Sequence, residues 1–381
     1  MTSPVTSKNP ATIVIIGTNY TNNIIYGDSS GNVSVNITTS YEIVGGAHAY
    51  NELVGDAQTI SDYAHTVGNI LIGGANSTNL LLGTAYYADG SSQGPNTGIL
   101  TIGSNTITGG INSTNTAYGD AYDFIGVGHG GNNRLTGGAG STNIMDGDAY
   151  LMSGFQVSGG DNYLLGGAHS ENTLAGCATT MSGPVYGGYN HVTGGADAYN
   201  VLYGAAQSMG TISATYANVV TGGANSTNYE YGDALTMTNA AHGGGNTVIG
   251  GGDGSTNYLY GDALTAQPSY FGGWGGGNTI VAGADSVSYM WGEGVSQSLY
   301  NSSNTFVFAK GDNYAVIEDF RGVGTVGSFT DTIDLKGYAT LHAFSQLDIT
   351  TSGATSTIHL GTDTLVVLNS LPLVAADFRF G

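Results

Sequence analysis

Six carboxylates share one phase of this chain, each following a glycine: Asp28, Asp56, Asp120, Asp148, Asp233 and Asp262. Carboxylates stacked one strand spacing apart repel each other, because like charges about 5 Å apart disfavour joint ionisation. Solvation on an outer surface relieves that repulsion, and so does a bridging cation. Calcium suits the second arrangement, since it accepts carboxylate and carbonyl oxygens in flexible geometry. The column is therefore expected either as a calcium ladder or as a row of solvated acids. Thr84, Cys177 and Ala205 interrupt it. No catalytic set accompanies these acids. The eight histidines are scattered in phase, and no HExxH, nucleophile elbow or P-loop occurs. The chain is read as a non-enzyme.

A repeat must position the acids. Gly-Gly-like pairs begin at Gly17, Gly45, Gly73, Gly109, Gly137, Gly166, Gly194, Gly222, Gly251 and Ala282, mostly 28 or 29 residues apart. In register behind them run Asn23, Asn51, Asn79, Asn115, Asn143, Asn172, Asn200, Asn228 and Asn257, with Ser288 closing the series. A fixed period with one polar residue at one phase is what a solenoid needs, because each coil stacks on identical positions of the coil below. The expected fold is all-β: a parallel β-solenoid of about ten 28-residue coils over residues 17–300. An N-terminal segment or cap precedes it at 1–16, and a small β-rich domain follows at 301–381. Ten coils at about 4.8 Å each make a rod on the order of 50 Å long. The longer spacing between Gly73 and Gly109 predicts a protruding loop near Asp89 to Asn96.

Strand side chains alternate faces, so apolar columns at even offsets mark the interior. Ile43, Leu71, Leu135, Leu164 and Val220 form one such column; Leu53, Leu81, Met145, Leu174 and Leu202 form another. Two alanine columns complete the set, one through Ala47, Ala75, Ala139 and Ala224, the other through Ala57, Ala85, Ala149 and Ala234. The Asn column is read as a buried structural ladder, because an amide both donates and accepts and so links neighbouring coils to the turn backbone. A second Asn column, at Asn69, Asn105, Asn133, Asn162, Asn190, Asn218, Asn246 and Asn278, is read the same way. Tyr26, Tyr118, Tyr203, Tyr231, Tyr260 and Trp291 fall at an outward position. They are expected as surface rungs that brace the sheet or form a carbohydrate or subunit contact face.

Six Lys and Arg against 27 Asp and Glu give a formal charge of -21, and Arg134 is the only cationic side chain between Lys8 and Lys310. Such a rod cannot neutralise phosphates, which excludes nucleic-acid partners, and an anionic membrane surface repels it. The segment from Ala11 to Ile16 is too short for a signal peptide or a membrane span. Gly reaches 65 of 381 residues with only six Pro, so the glycines mark recurrent turns. The single Cys177 excludes an internal disulfide and is read as a small buried residue.

After Asn301 the texture changes. Asn304–Asp312, Ile317–Phe320, Asp331–Leu335, Gly361–Leu365 and Ala376–Phe380 occur in an order that resembles the C-terminal domain of repeats-in-toxin proteins exported by type I secretion. That resemblance implies an uncleaved C-terminal export signal, release from a Gram-negative bacterium, and folding driven by extracellular calcium. Asp312, Asp319, Asp331 and Asp334 then join the Asp column as candidate calcium ligands. The repeats are a looser match to the family's GGxGxDxUx nonapeptide. Gly222–Asn228 has one residue more and puts Asn at the Asp phase, so amides replace much of the metal.

The resulting expectation is a secreted, non-enzymatic structural or adhesive protein that forms an extracellular filament, surface layer or matrix with copies of itself, stabilised by calcium. The alternative is an ice- or polysaccharide-binding solenoid. Thr78, Thr114, Thr142, Thr227 and Thr256 motivate the ice version, while Tyr50, Glu171 and Tyr199 interrupt their row.

Overall fold

The computed structural model describes residues 12–61, 64–90, 99–210, 212–238, 240–266, 275–295, 302–324, 329–369 and 371–381. Three parallel sheets run along one axis and share the coils between them. Sheet A takes one short strand from each coil, from Ile13–Ile16 onward, and joins thirteen strands. Sheet B begins with Asn23–Tyr26 and joins fourteen strands; sheet C begins with Ser29–Val33 and joins eleven. Register follows the repeat. Asn51 pairs with Asn79, and Asn143 with Asn172. The β-solenoid expected from the period is the fold observed.

Each coil fills two separate apolar lobes. Between sheets A and B lies an aliphatic stack through Ile43, Leu53, Leu71, Leu81, Leu135, Leu174 and Val220. Behind sheet C lies a second stack of alanines and methionines, among them Ala85, Ala121, Met152, Met181 and Met209. The glycines between them allow the backbones of successive coils to touch. A Cβ on Gly119 would fall 2.6 Å from the Asn133 amide nitrogen, inside van der Waals contact.

Several expectations change. The alanine column through Ala47, Ala75, Ala139 and Ala224 is half-buried or exposed. These residues lie in the turn between sheets A and B, where strand alternation has already stopped, and the Asn side chains occupy the interior instead. The segment assigned to a cap contributes a strand, since Ile13–Ile16 pairs with Tyr41–Val44 as part of the first coil. The boundary at 300 is not a break in the sheets. Thr305–Val307 and Thr332–Asp334 extend sheet A, and Asn313–Phe320 extends sheet B. Only then does an antiparallel meander, Asp348–Ser352, Thr355–Leu360 and Asp363–Asn369, finish sheet B. What ends earlier is sheet C, whose last described strand is Ala263–Ala266. The inserted residues 91–98 of the expected loop lie outside the described residues.

Candidate functional site

Two files of polar side chains run the length of the rod. At the corner between sheets A and B each Asn of the first column closes its own turn and holds the next coil. The Gly138 amide donates to Asn143 Oδ1 at 3.0 Å, and Asn143 Nδ2 donates back to the Gly138 carbonyl at 3.0 Å. The second amide hydrogen reaches Asn172 Oδ1 at 2.9 Å. Equivalent bonds link Asn51, Asn79, Asn115, Asn200, Asn228 and Asn257. Every donor and acceptor of these amides is used, so the column forms the buried ladder that the sequence predicts.

The second file lies between the two apolar lobes. Here the second Asn column meets the Gly-Asp column. Asn133 Nδ2 donates to Asp120 Oδ1 and to the Gly147 carbonyl, both at 2.8 Å, while its own backbone amide donates to Asn162 Oδ1 at 2.8 Å. Asp56, Asp120, Asp148, Asp233 and Asp262 are fully buried, and only Asp28 in the first coil is exposed. They are not the solvated acids considered from sequence. The Gly-Asp turn between sheets B and C points them inward, where one oxygen accepts a turn amide: Gly131 to Asp120 at 3.0 Å, Gly160 to Asp148 at 2.9 Å. The other oxygen of Asp56, Asp148, Asp233 and Asp262 has no hydrogen-bond partner among the described residues.

Burial raises these acids above the ordinary carboxylate range, Asp56 to about 8, Asp148 to about 7 and Asp233 to about 6. Asp120 and Asp262 are also raised well above that range, first by burial and then by the charges of Asp148 and Asp233. Asp120 faces Asp148, and Asp233 faces Asp262, which also meets the charge of Glu293 in the next coil. Where the column is interrupted, Thr84 Oγ1 and Cys177 Sγ take the same amide bonds, from Asn105 and Asn190 at 3.1 Å each. A neutral hydroxyl or thiol thus serves in the position of a protonated acid.

Calcium takes six to eight oxygens. Among the described residues no three His, Cys, Asp or Glu side chains gather around one point. The tail acids have other partners. Asp312 Oδ2 accepts the Ala309 amide at 2.6 Å, Asp319 accepts the Gly292 amide at 2.8 Å, and Asp331 accepts the Asn304 amide at 2.9 Å. Arg321 packs against Glu293 and Asp331, and Lys336 lies 3.5 Å from Asp334.

The aromatic column also differs from expectation. Tyr118, Tyr203, Tyr231 and Tyr260 point away from the lobes as predicted, yet they are buried. The side chains of sheet C cover them. Tyr122 and Tyr150 pack on Tyr118, and Leu235 and Leu264 close over Tyr231 and Tyr260. The rings stack along the axis, Tyr203 on Tyr231 at 5.2 Å, Tyr231 on Tyr260 at 4.9 Å, and Tyr260 on half-buried Trp291 at 4.5 Å. This seam is an outer core and offers no ring face to a partner.

One buried residue has no precedent in the sequence columns. Glu230 stands in the inward aliphatic column, in register with Leu202 and Leu259. Neither carboxyl oxygen has a side-chain partner among the described residues, and burial raises its pKa well above the usual value, the nearby Gly222 amide opposing the rise. Its phase alone could have revealed it. No family model matches this chain, and no characterised protein or solved structure is detectably similar to it.

Proposed function

We propose that the protein is a secreted, non-enzymatic structural or adhesive rod that assembles with copies of itself outside the cell. The observation that carries this reading is the asymmetry of the rod's two ends. Ile13–Ile16 and Asn23–Tyr26 are the terminal strands of sheets A and B, and they expose apolar side chains: Ile16 is 72 % exposed and Ile24 is 61 % exposed. Among the described residues no strand pairs with this edge, and a strand edge bordered by isoleucine is a template for another chain. At the other end, sheet B finishes in the polar strand Asp348–Ser352, DITTS, paired antiparallel to its neighbour. Such an end is a poor template, and self-association therefore starts from the first coil.

Export rests on the run of C-terminal motifs that resembles a type I secretion domain. Calcium belongs to this proposal as a bridge between the acidic surfaces of neighbouring rods, where a net charge of -21 otherwise opposes contact. Light scattering of the purified protein in millimolar calcium should show growth to large particles that a chelator reverses. The double variant Ile16→Lys, Ile24→Lys should stay small in the same conditions with an unchanged far-ultraviolet spectrum. A wild-type protein that remains a strict monomer at every concentration, with and without calcium, overturns the assembly reading.

A further inference from the structure

The corner between sheets A and B carries, on its outer side, a feature that neither polar file uses. Two adjoining hollows of about 850 and 600 Å3 meet at His169, Ser170 and Glu171 and together run from Tyr20 to Thr256. They form one shallow groove parallel to the axis, roughly 40 Å long if each of some eight coils advances about 4.8 Å. One wall is the corner residue of each coil, held in the left-handed region: His48, Asn76, Asn112, His169 and Asp197 all have φ between 51° and 53°. The other wall is the first residue of each sheet B strand, with Thr78, Thr114 and Thr142 in direct register.

The floor is chemically closed. The Ser77, Ser113 and Ser141 hydroxyls donate to Ala75, Ile111 and Ala139 carbonyls, and Ser113 and Ser141 also accept the amide of the preceding coil. Recognition therefore falls to the walls. The Thr hydroxyls find no partner among the described residues, and a hydroxyl both donates and accepts. Aromatic faces punctuate the row: Tyr50 and Tyr199 stand in it at 38 % and 45 % exposure, and Tyr20 stacks on His48 at 4.9 Å. Glu171 and Asp197 are the groove's charges, and no Lys or Arg lines it.

We infer that this groove binds a linear, uncharged glycan lying along the rod. A glycan supplies what the walls match: hydroxyls that donate and accept at each sugar, an apolar ring face for each tyrosine, and a repeat comparable to the coil advance. The missing cations exclude a polyanion, whether nucleic acid or an acidic polysaccharide. Tyr50, Glu171 and Tyr199 break the flat threonine array that an ice surface demands. This inference stands apart from the strand-edge association proposed above, which starts from the first coil and does not use the groove.

Affinity electrophoresis of the full chain through gels containing a soluble neutral β-glucan, a neutral α-glucan or an alginate tests it. Retention is expected in at least one neutral gel and absent in alginate. The double variant Thr114→Val, Thr142→Val keeps β-branched side chains on the strands and should lose retention by about fivefold or more, one hydrogen bond being worth about that factor. Tyr199→Ala should also weaken it, and the first-coil lysine variant should bind like wild type. Failure of both neutral glycans to retard the protein overturns the inference, as do equal retention of the valine variant, stronger retention in alginate, or thermal hysteresis with ice shaping.

Discussion

The Asn column at one corner and the Asp column at the other stand in the same rod and repeat at the same period, yet the first runs unbroken and the second is interrupted. In the Asn file each amide donates to the Asn of the next coil and accepts from the Asn of the coil before, so the same residue can follow itself indefinitely. A carboxylate only accepts, and a carboxylic acid has one proton to give. Asp120 therefore faces Asp148, and Asp233 faces Asp262, with like charge and no amide between them to donate, and Thr84, Cys177 and Ala205 interrupt the run.

Breaking the Asn file should cost most. Asn143→Leu leaves the Gly138 amide and one Asn115 side-chain N–H without their partner, while the Gly138 carbonyl keeps the Ser170 hydroxyl, and each orphaned donor costs about 1–3 kcal/mol. Thermal melting followed by circular dichroism should show a drop large enough to threaten folding; an unchanged melting temperature removes the ladder from the account of stability.

The opposite change is expected at Glu230. Glu230→Leu restores the apolar column between Leu202 and Leu259 and removes a carboxyl that is buried without side-chain partners among the described residues. A gain of about 1–3 kcal/mol follows from relief of that desolvation. Denaturant unfolding that places the variant below wild type means the carboxyl has a partner which the described residues do not supply.

The Asp file makes stability depend on pH, and the sign is definite. Burial raises Asp56 to about 8, Asp148 to about 7 and Asp233 to about 6, whereas an unfolded Asp titrates near 4. The folded chain holds protons that the unfolded chain releases, so this contribution is full below about pH 4 and is lost as pH rises through the interval from 6 to 8. Calorimetry across that interval should find a falling melting temperature, and Asp148→Asn, which keeps the acceptor without the charge, should flatten the fall. A melting temperature that climbs from pH 6 to 8 would show the pairs to be ionised in the folded rod.

How far the sequence revealed this follows from the same chemistry. The Asn columns were legible because one residue type at one phase has one good structural use. The tyrosine column showed its direction, since alternation points Tyr231 away from the lobes, but not its burial, which depends on Leu235 folding back from the next sheet. The burial of the Asp column is not legible in the sequence, because alternation lapses at a Gly-Asp turn. Ala47 and Ala75 failed for the equivalent reason at the other corner. Glu230 was legible in phase and was obscured by the leucines around it.

The coils differ in how their two halves tolerate length. From the second Asn column through sheets A and B to the inward alanine, as from Asn133 to Ala149, the residue count scarcely changes from coil to coil. The variation falls after that alanine: successive members of the second Asn column bond across 36 residues at Asn69 and Asn105 but 28 at Asn105 and Asn133, and sheet A keeps its pairing across both. The molecule is thus a ruler with a free margin. Insertions can accumulate along sheet C's edge, as epitopes, tethers or whole grafted modules, while the graduations on the opposite side stay evenly spaced.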